Sequence, residues 1–163
     1  ARVDTRLLHG QVATGWTHST HPDRIIVVSD TVCHDKLRTN MIKQAAPSGV
    51  QVHVIPIKNM VKANNDPRFG DTRAMLLFES VEDALAAVKA GVDVKEINLG
   101  SSAYKEGKVN VTKALSFDQT DVDAIKELQS LGVKFDVRGV PSDSPANVDA
   151  LIKSAETKLA EKK

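Results

Sequence analysis

The chain has 163 residues, of which 41% are apolar, only 4% aromatic, and one is cysteine. Its 22 basic and 21 acidic side chains are interspersed and leave a net charge of +1, so no nucleic-acid surface is indicated, and the aromatic–basic interleaving of a single-strand binder is missing. A lone Cys33 excludes an internal disulfide, and no run approaches 18 apolar residues, so a soluble cytoplasmic domain with a Val, Ile, Leu and Ala core is expected.

Residues 2–16 read Arg-Val-Asp-Thr-Arg-Leu-Leu-His-Gly-Gln-Val-Ala-Thr-Gly-Trp. Arg6 stands three residues before His9, and His9 directly before Gly10. Val12, Ala13 and Trp16 then recur with helical spacing. This places His9 at a helix entrance, where free N–H groups and the positive dipole end form an anion site. A histidine there can attack phosphorus while Arg6 and the amides of Leu8 to Gln11 hold the phosphoryl oxygens. Gly10 would let that backbone approach closely. Asp4 either bonds a loop amide or orients His9. A surface or capping histidine is the plainer alternative. Leu7, Leu8 and Val12 are either core or an apolar docking surface.

Further along, Ile25–Val28 is a β-branched run ending in Ser29-Asp30, as a buried strand would. Residues 33–45 show helical spacing through Leu37, Met41, Ile42 and Ala45, stopped by Pro47-Ser-Gly49. Val50–Ile55 reads as a strand and Ile57–Ala63 as a short helix. Residues 64–71 form a polar loop, Ala74–Phe78 a strand, and Val81–Ala90 a helix closed by Gly91. Glu96–Leu99 is a strand, and Val109–Phe117 holds a short hairpin. Asp118–Leu131 is a helix closed by Gly132, Lys134–Val137 a strand, and residues 146–159 the last helix.

This alternation predicts a three-layer α/β/α fold with a mostly parallel central sheet and the site at the carboxyl ends of its strands. The residues expected there are Asp4 to His9, Ser29 and Asp30, the loop of residues 68–73, and Asn98 to Ser102. Ser29, Asp30 and Asn98 are candidates for its wall, and Trp16 for its core. His18, His21, Cys33 and His34 invite a metal reading, but their spacing is not that of a zinc site. No metal and no cofactor is called for. His53 falls in a strand.

The run from Arg2 to Trp16 resembles the phosphorylation motif of enzyme IIB components of the bacterial sugar phosphotransferase system, in the mannose/fructose/sorbose class. The match continues through Arg24–Asp30, Ala45–Val50, Ala74–Phe78 and Ile97–Gly100. The resemblance implies that His9 is phosphorylated, at Nδ1, by a phosphohistidine on a IIA component. The phosphoryl group would pass to a sugar, mannose or glucose first, held by membrane IIC/IID components. It also implies a second phosphoryl ligand in Arg38, which on pattern alone is a helix-surface charge. A non-catalytic small-molecule-binding regulatory or interaction module is the rival, although Gly-x-Gly-x-x-Gly and Walker patterns are both missing. The family has a whole strand before the arginine that Arg6 matches, whereas Ala1 to Val3 alone stand here in that place. The expectation is therefore a single IIB domain over residues 1–163, truncated at its start or cut from a longer IIAB chain, with a short or unsupported first strand. A homodimer is compatible with it.

Overall fold

The computed structural model describes residues 1–163. Eight strands alternate with six helices: β1 (Arg2–Asp4), α1 (Thr17–Thr20), β2 (Arg24–Val28), α2 (Lys36–Gln44), β3 (Gln51–Ile55), α3 (Ile57–Asn64), β4 (Ala74–Phe78), α4 (Val81–Lys89), β5 (Glu96–Ser101), β6 (Val109–Asn110), β7 (Ser116–Phe117), α5 (Gln119–Ser130), β8 (Lys134–Val137) and α6 (Val148–Glu161). Six strands form one sheet in the order β3-β2-β4-β1-β5-β8, all parallel, and β6–β7 form the separate antiparallel hairpin.

The first strand is short, as expected, but it is not unsupported. β1 lies inside the sheet, pairing Arg2 with Leu77 on one side and Asn98 on the other, and Val3 with Phe78 and Leu99. Three residues suffice because both edges are hydrogen-bonded and Val3 is buried.

Two apolar layers sandwich the sheet. One joins Val3, Ile26, Phe78, Leu99 and Phe117 to α3, α4, α5 and α6. The other joins Leu7, Leu8, Val12, Trp16, Val27, Leu77 and Ile42 beneath the first helical segment and α2. Phe78 and Phe117 are fully buried, and truncating either to Ala would cost about 3–5 kcal/mol. The helices start where their side chains supply caps. Asp118 and Asp121 form a reciprocal capping box on α5, Ser80 caps α4, and Asn147 caps α6.

Two boundaries differ from the sequence reading. The helix expected from residue 33 begins at Lys36, after a 3₁₀ turn over Val32–His34, because Asp35 accepts the Arg38 N–H and fixes the start. The last helix begins at Val148 and runs on to Glu161.

Candidate functional site

β1 ends at Asp4, and the chain turns sharply through Thr5, Arg6 and Leu7. The Leu7 N–H bonds Asp4 O at 2.9 Å, and the Arg6 N–H bonds Asp4 Oδ1 at 2.9 Å. Leu7 exits the turn at φ +58°, a left-handed conformation that costs a leucine about 1–2 kcal/mol. Its side chain is fully buried, and that burial offsets the strain. Leu8 and Val12 are buried as well. All three are therefore core, and the docking-surface alternative for them is set aside.

A continuous helical segment of residues 10–20 follows, with His9 at its entrance. Its middle, Val12–Trp16, is π-helical before it passes into α1. The first main-chain bond of the segment runs from Ala13 N to His9 O, 2.8 Å. The N–H groups of residues 8–12 have no acceptor within the protein. A Cβ on Gly10 would meet nothing within 4 Å, so the molecule's own packing does not demand glycine there. The space above it is open.

His9 is held by one nitrogen. Its Nε2 lies 3.0 Å from Asp4 Oδ2, and Asp4 is fully buried. An ionised carboxylate only accepts, so this contact suits the tautomer of a neutral ring with the proton on Nε2 and the lone pair on Nδ1. The ring stays 17% exposed.

Asp4 is held in turn by Arg2, whose Nη2 lies 2.8 Å from Oδ2. Arg2 was not anticipated as a site residue. It is 4% exposed, and Nη1 bonds Asn98 Oδ1. Burial pulls its guanidinium below the ordinary range, while Asp4 opposes that shift. It stands 5.5 Å from the Trp16 ring, with Arg138 at 5.2 Å. Trp16 is therefore core and also a platform for two cations, its Nε1 donating to Gly139 O at 2.9 Å. Gly100 makes room for Arg2: a Cβ there would fall 2.1 Å from the guanidinium carbon. Asn98 bonds onward to Asp136 and to Arg138 O. It lies mid-strand beside Arg2, three contacts removed from His9 through Arg2 and Asp4, and forms no wall of the site.

Arg38 reaches across from α2. Its Nη2 donates to Thr5 O at 3.3 Å, and its Nη1 lies 2.7 Å from Glu79 Oε2, just past the end of β4. The latter contact is an ion pair without hydrogen-bond alignment, so Glu79 Oε2 is buried with no N–H directed at it. Arg6 and Gln11 line an open polar cavity of about 330 Å³ with Ser101, Ser102 and Lys113.

Other expectations are corrected. Ser29 Oγ accepts the Val32 N–H at 3.1 Å, and Asp30 Oδ1 accepts the Ile57 N–H at 2.8 Å. Both side chains hold turns that leave strands, and neither has a hydrogen bond to His9 or its loop. The loop of residues 68–73 precedes β4, so it sits at the amino ends of the strands, opposite the site. The rings of His18 and His21 lie 5.9 Å apart, tilted at 49°, and are not gathered with Cys33 and His34. One acidic group forms elsewhere, Glu82 with Asp118 and Asp121, and Lys108 Nζ lies 2.8 Å from Asp121 Oδ2.

The family model described as "PTS system sorbose subfamily IIB component" matches residues 1–163. The mannose-specific EIIAB component of Escherichia coli K12 is 41% identical over 152 residues, 93% of this chain and 47% of that protein. The chain thus spans about half the length of those curated relatives. The sorbose-specific EIIB component of Lacticaseibacillus casei is 39% identical over 93% of each chain. The crystal structure of the IIBSor domain of the sorbose permease from Klebsiella pneumoniae superposes with a TM-score of 0.90, at 39% identity over 94% of each chain.

Proposed function

The chain belongs to the sorbose subfamily of phosphotransferase-system IIB components, and on that premise we propose that it takes a phosphoryl group from a phosphohistidine onto His9 Nδ1 and passes it to a sugar. IIB components of this class are transferases of sugar uptake. The observation that supports His9 as carrier is its pairing with Asp4. One ring nitrogen is fixed to a buried carboxylate, and the other is open above a row of unbonded amides.

The step balances without a further proton donor. The Nδ1 lone pair attacks phosphorus as the P–N bond to the donor imidazole breaks. The donor, a phosphoimidazolium protonated on its other ring nitrogen, leaves as neutral imidazole, and His9 becomes a phosphoimidazolium, still protonated on Nε2. Asp4 faces that proton and stabilises the positive charge as it develops. The three peripheral oxygens carry the negative charge of a loose in-line transition state. They would meet the amides of Leu8, Gly10 and Gln11 and the guanidinium groups of Arg6 and Arg38. Arg2 and Asn98 act behind Asp4 by fixing its orientation.

The donor in this reading is a IIA component, and the sugar is held by membrane IIC/IID components at the cytoplasmic face. No helix of the chain is long and apolar enough to cross a membrane. Mannose or glucose is the proposed sugar, since mannose stands in the name of relatives at 41% identity. Sorbose, named in relatives at 39% and 40%, is the second candidate.

The test is incubation with phosphoenolpyruvate, the general phosphotransferase enzymes and a IIA partner. Acid-labile phosphate on His9 is expected, and a folded His9→Ala protein should take up none. Phosphate mapped to His18, His21, His34 or His53 would overturn the reading.

A further inference from the structure

Arg38 has two engagements, one through each terminal nitrogen. Nη2 points at Thr5 O in the loop that carries His9, while Nη1 lies against Glu79. The sheet register places Glu79 at this edge. Val3 pairs with Phe78, so the residue after Phe78 stands level with Asp4 and the start of the loop. Glu79 is poorly provided for, because its Oε2 is buried, lies 2.7 Å from a cation, and has no hydrogen bond. The surroundings are acidic. Asp83 is pushed above its usual range by burial first and then by Glu79 and Asp30. Arg38 is the one cation that approaches Glu79 within ion-pair distance.

We infer that Glu79 is a positioning residue that holds Arg38 away from the phosphoryl group and so keeps phospho-His9 reactive toward its acceptor. The inference rests on His9 being the phosphoryl carrier. A phosphoryl group brings about two negative charges, and its oxygens align with a guanidinium fork better than Glu79 does. Arg38 is then shared between Glu79 and the phosphoryl oxygens. Each share kept by Glu79 weakens the grip on phosphate. A carrier that must give up what it accepts gains nothing from tight binding of the loaded state.

The inference is tested by measuring the phosphoryl-exchange equilibrium. The protein is mixed with the phosphorylated IIA portion of the Escherichia coli mannose-specific EIIAB component, and phosphate on His9 is counted. Glu79→Gln should move the equilibrium toward phospho-His9 by about five- to tenfold, the size of one partly screened charge interaction. Glu79→Asp should stay within about twofold of the parent, since it restores the charge. In an Arg38→Gln background, Glu79→Gln should have no effect beyond about twofold, because the arginine through which it acts is gone. An unchanged equilibrium in Glu79→Gln, a shift toward the donor, or an undiminished shift in the Arg38→Gln background would overturn the inference. A parent protein that takes no phosphate on His9 would instead overturn the reading beneath it.

Discussion

Asp4 Oδ2 lies 3.0 Å from His9 Nε2 and 2.8 Å from Arg2 Nη2, so one buried carboxylate oxygen joins the proposed carrier to a buried cation. The orientation of His9 therefore depends on a group that no solvent reaches, and changes along this line should act on chemistry and stability together.

Asp4→Asn keeps the size of the side chain and removes its charge. Arg2 is left buried with a weaker partner, and unfolding free energy should fall by about 3 kcal/mol. Phosphoryl transfer should slow by about two powers of ten, because the imidazolium that forms has lost its counter-charge. Chemical denaturation and rapid-quench transfer measure the two effects.

The two glycines of the site should behave oppositely. Gly100→Ala drives a Cβ into the Arg2 guanidinium, and a loss of about 2–4 kcal/mol is expected with a parallel loss of transfer. Gly10→Ala meets open space at the start of a helix, so stability should hold or rise by less than about 1 kcal/mol. Transfer should nevertheless drop by about tenfold, since the methyl group enters the space proposed for the phosphoryl oxygens. Melting temperature and transfer rate, taken together, distinguish the two variants.

Arg38→Gln should slow transfer by about one to two powers of ten, the weight of a charge-assisted contact of 1.5–3 kcal/mol. Its ion pair with Glu79 is partly exposed, and stability should change by less than about 1 kcal/mol. Rapid-quench kinetics toward both the donor and the sugar test this. Parent rates in both directions would mark Arg38 as an ordinary surface charge.

Glu82 should make the fold pH-dependent. Burial, and then the neighbouring Asp121, raise its carboxyl to about 7 from an ordinary 4.5. Burial also pushes Asp121 upward, but Lys108 and the Asp118 N–H outweigh it and hold that carboxylate low. The folded state thus binds more protons than the unfolded state between about 4.5 and 7. The contribution is fully present below pH 4.5 and is lost as pH rises through 7. Glu82→Gln, always neutral, should be more stable than the parent at pH 8 by about 1–2 kcal/mol after solvent screening, and equal to it near pH 4. Denaturation midpoints across pH 4–8 check the sign.

Much of the fold was legible because buried parallel strands such as Ile25–Val28 and Met75–Phe78 are continuous apolar runs. Capped helices such as α5 also carry both end signals, Asp118 and Gly132. Arg6 and His9 were singled out by a motif whose spacing is local, and Arg38 by the family resemblance alone. What escaped were relations between distant segments. Arg2 looks like any charge near a chain start, and only the central position of β1 buries it between Asn98 and Asp4. Glu79 reads as a loop acid until the register sets it beside the first loop. Ser29 and Asp30 have the residue types of a site wall, but turn amides compete for them and win. The loop of residues 68–73 was assigned to the wrong edge because polarity does not show which end of a strand a loop adjoins.

The left-handed Leu7 bears on the proposed passage of phosphate through His9. A mobile loop would have to become ordered around each incoming phosphoryl group, and that lost entropy would favour keeping the group once the loop had closed. Here the buried side chains of Leu7, Leu8 and Val12 fix the loop by themselves, and backbone strain is the cost. Loading and unloading then share one geometry, and neither direction is slowed by rebuilding it. On the proposed reading, ordering of the loop adds no cost to either step and so biases the flow of phosphate in neither direction.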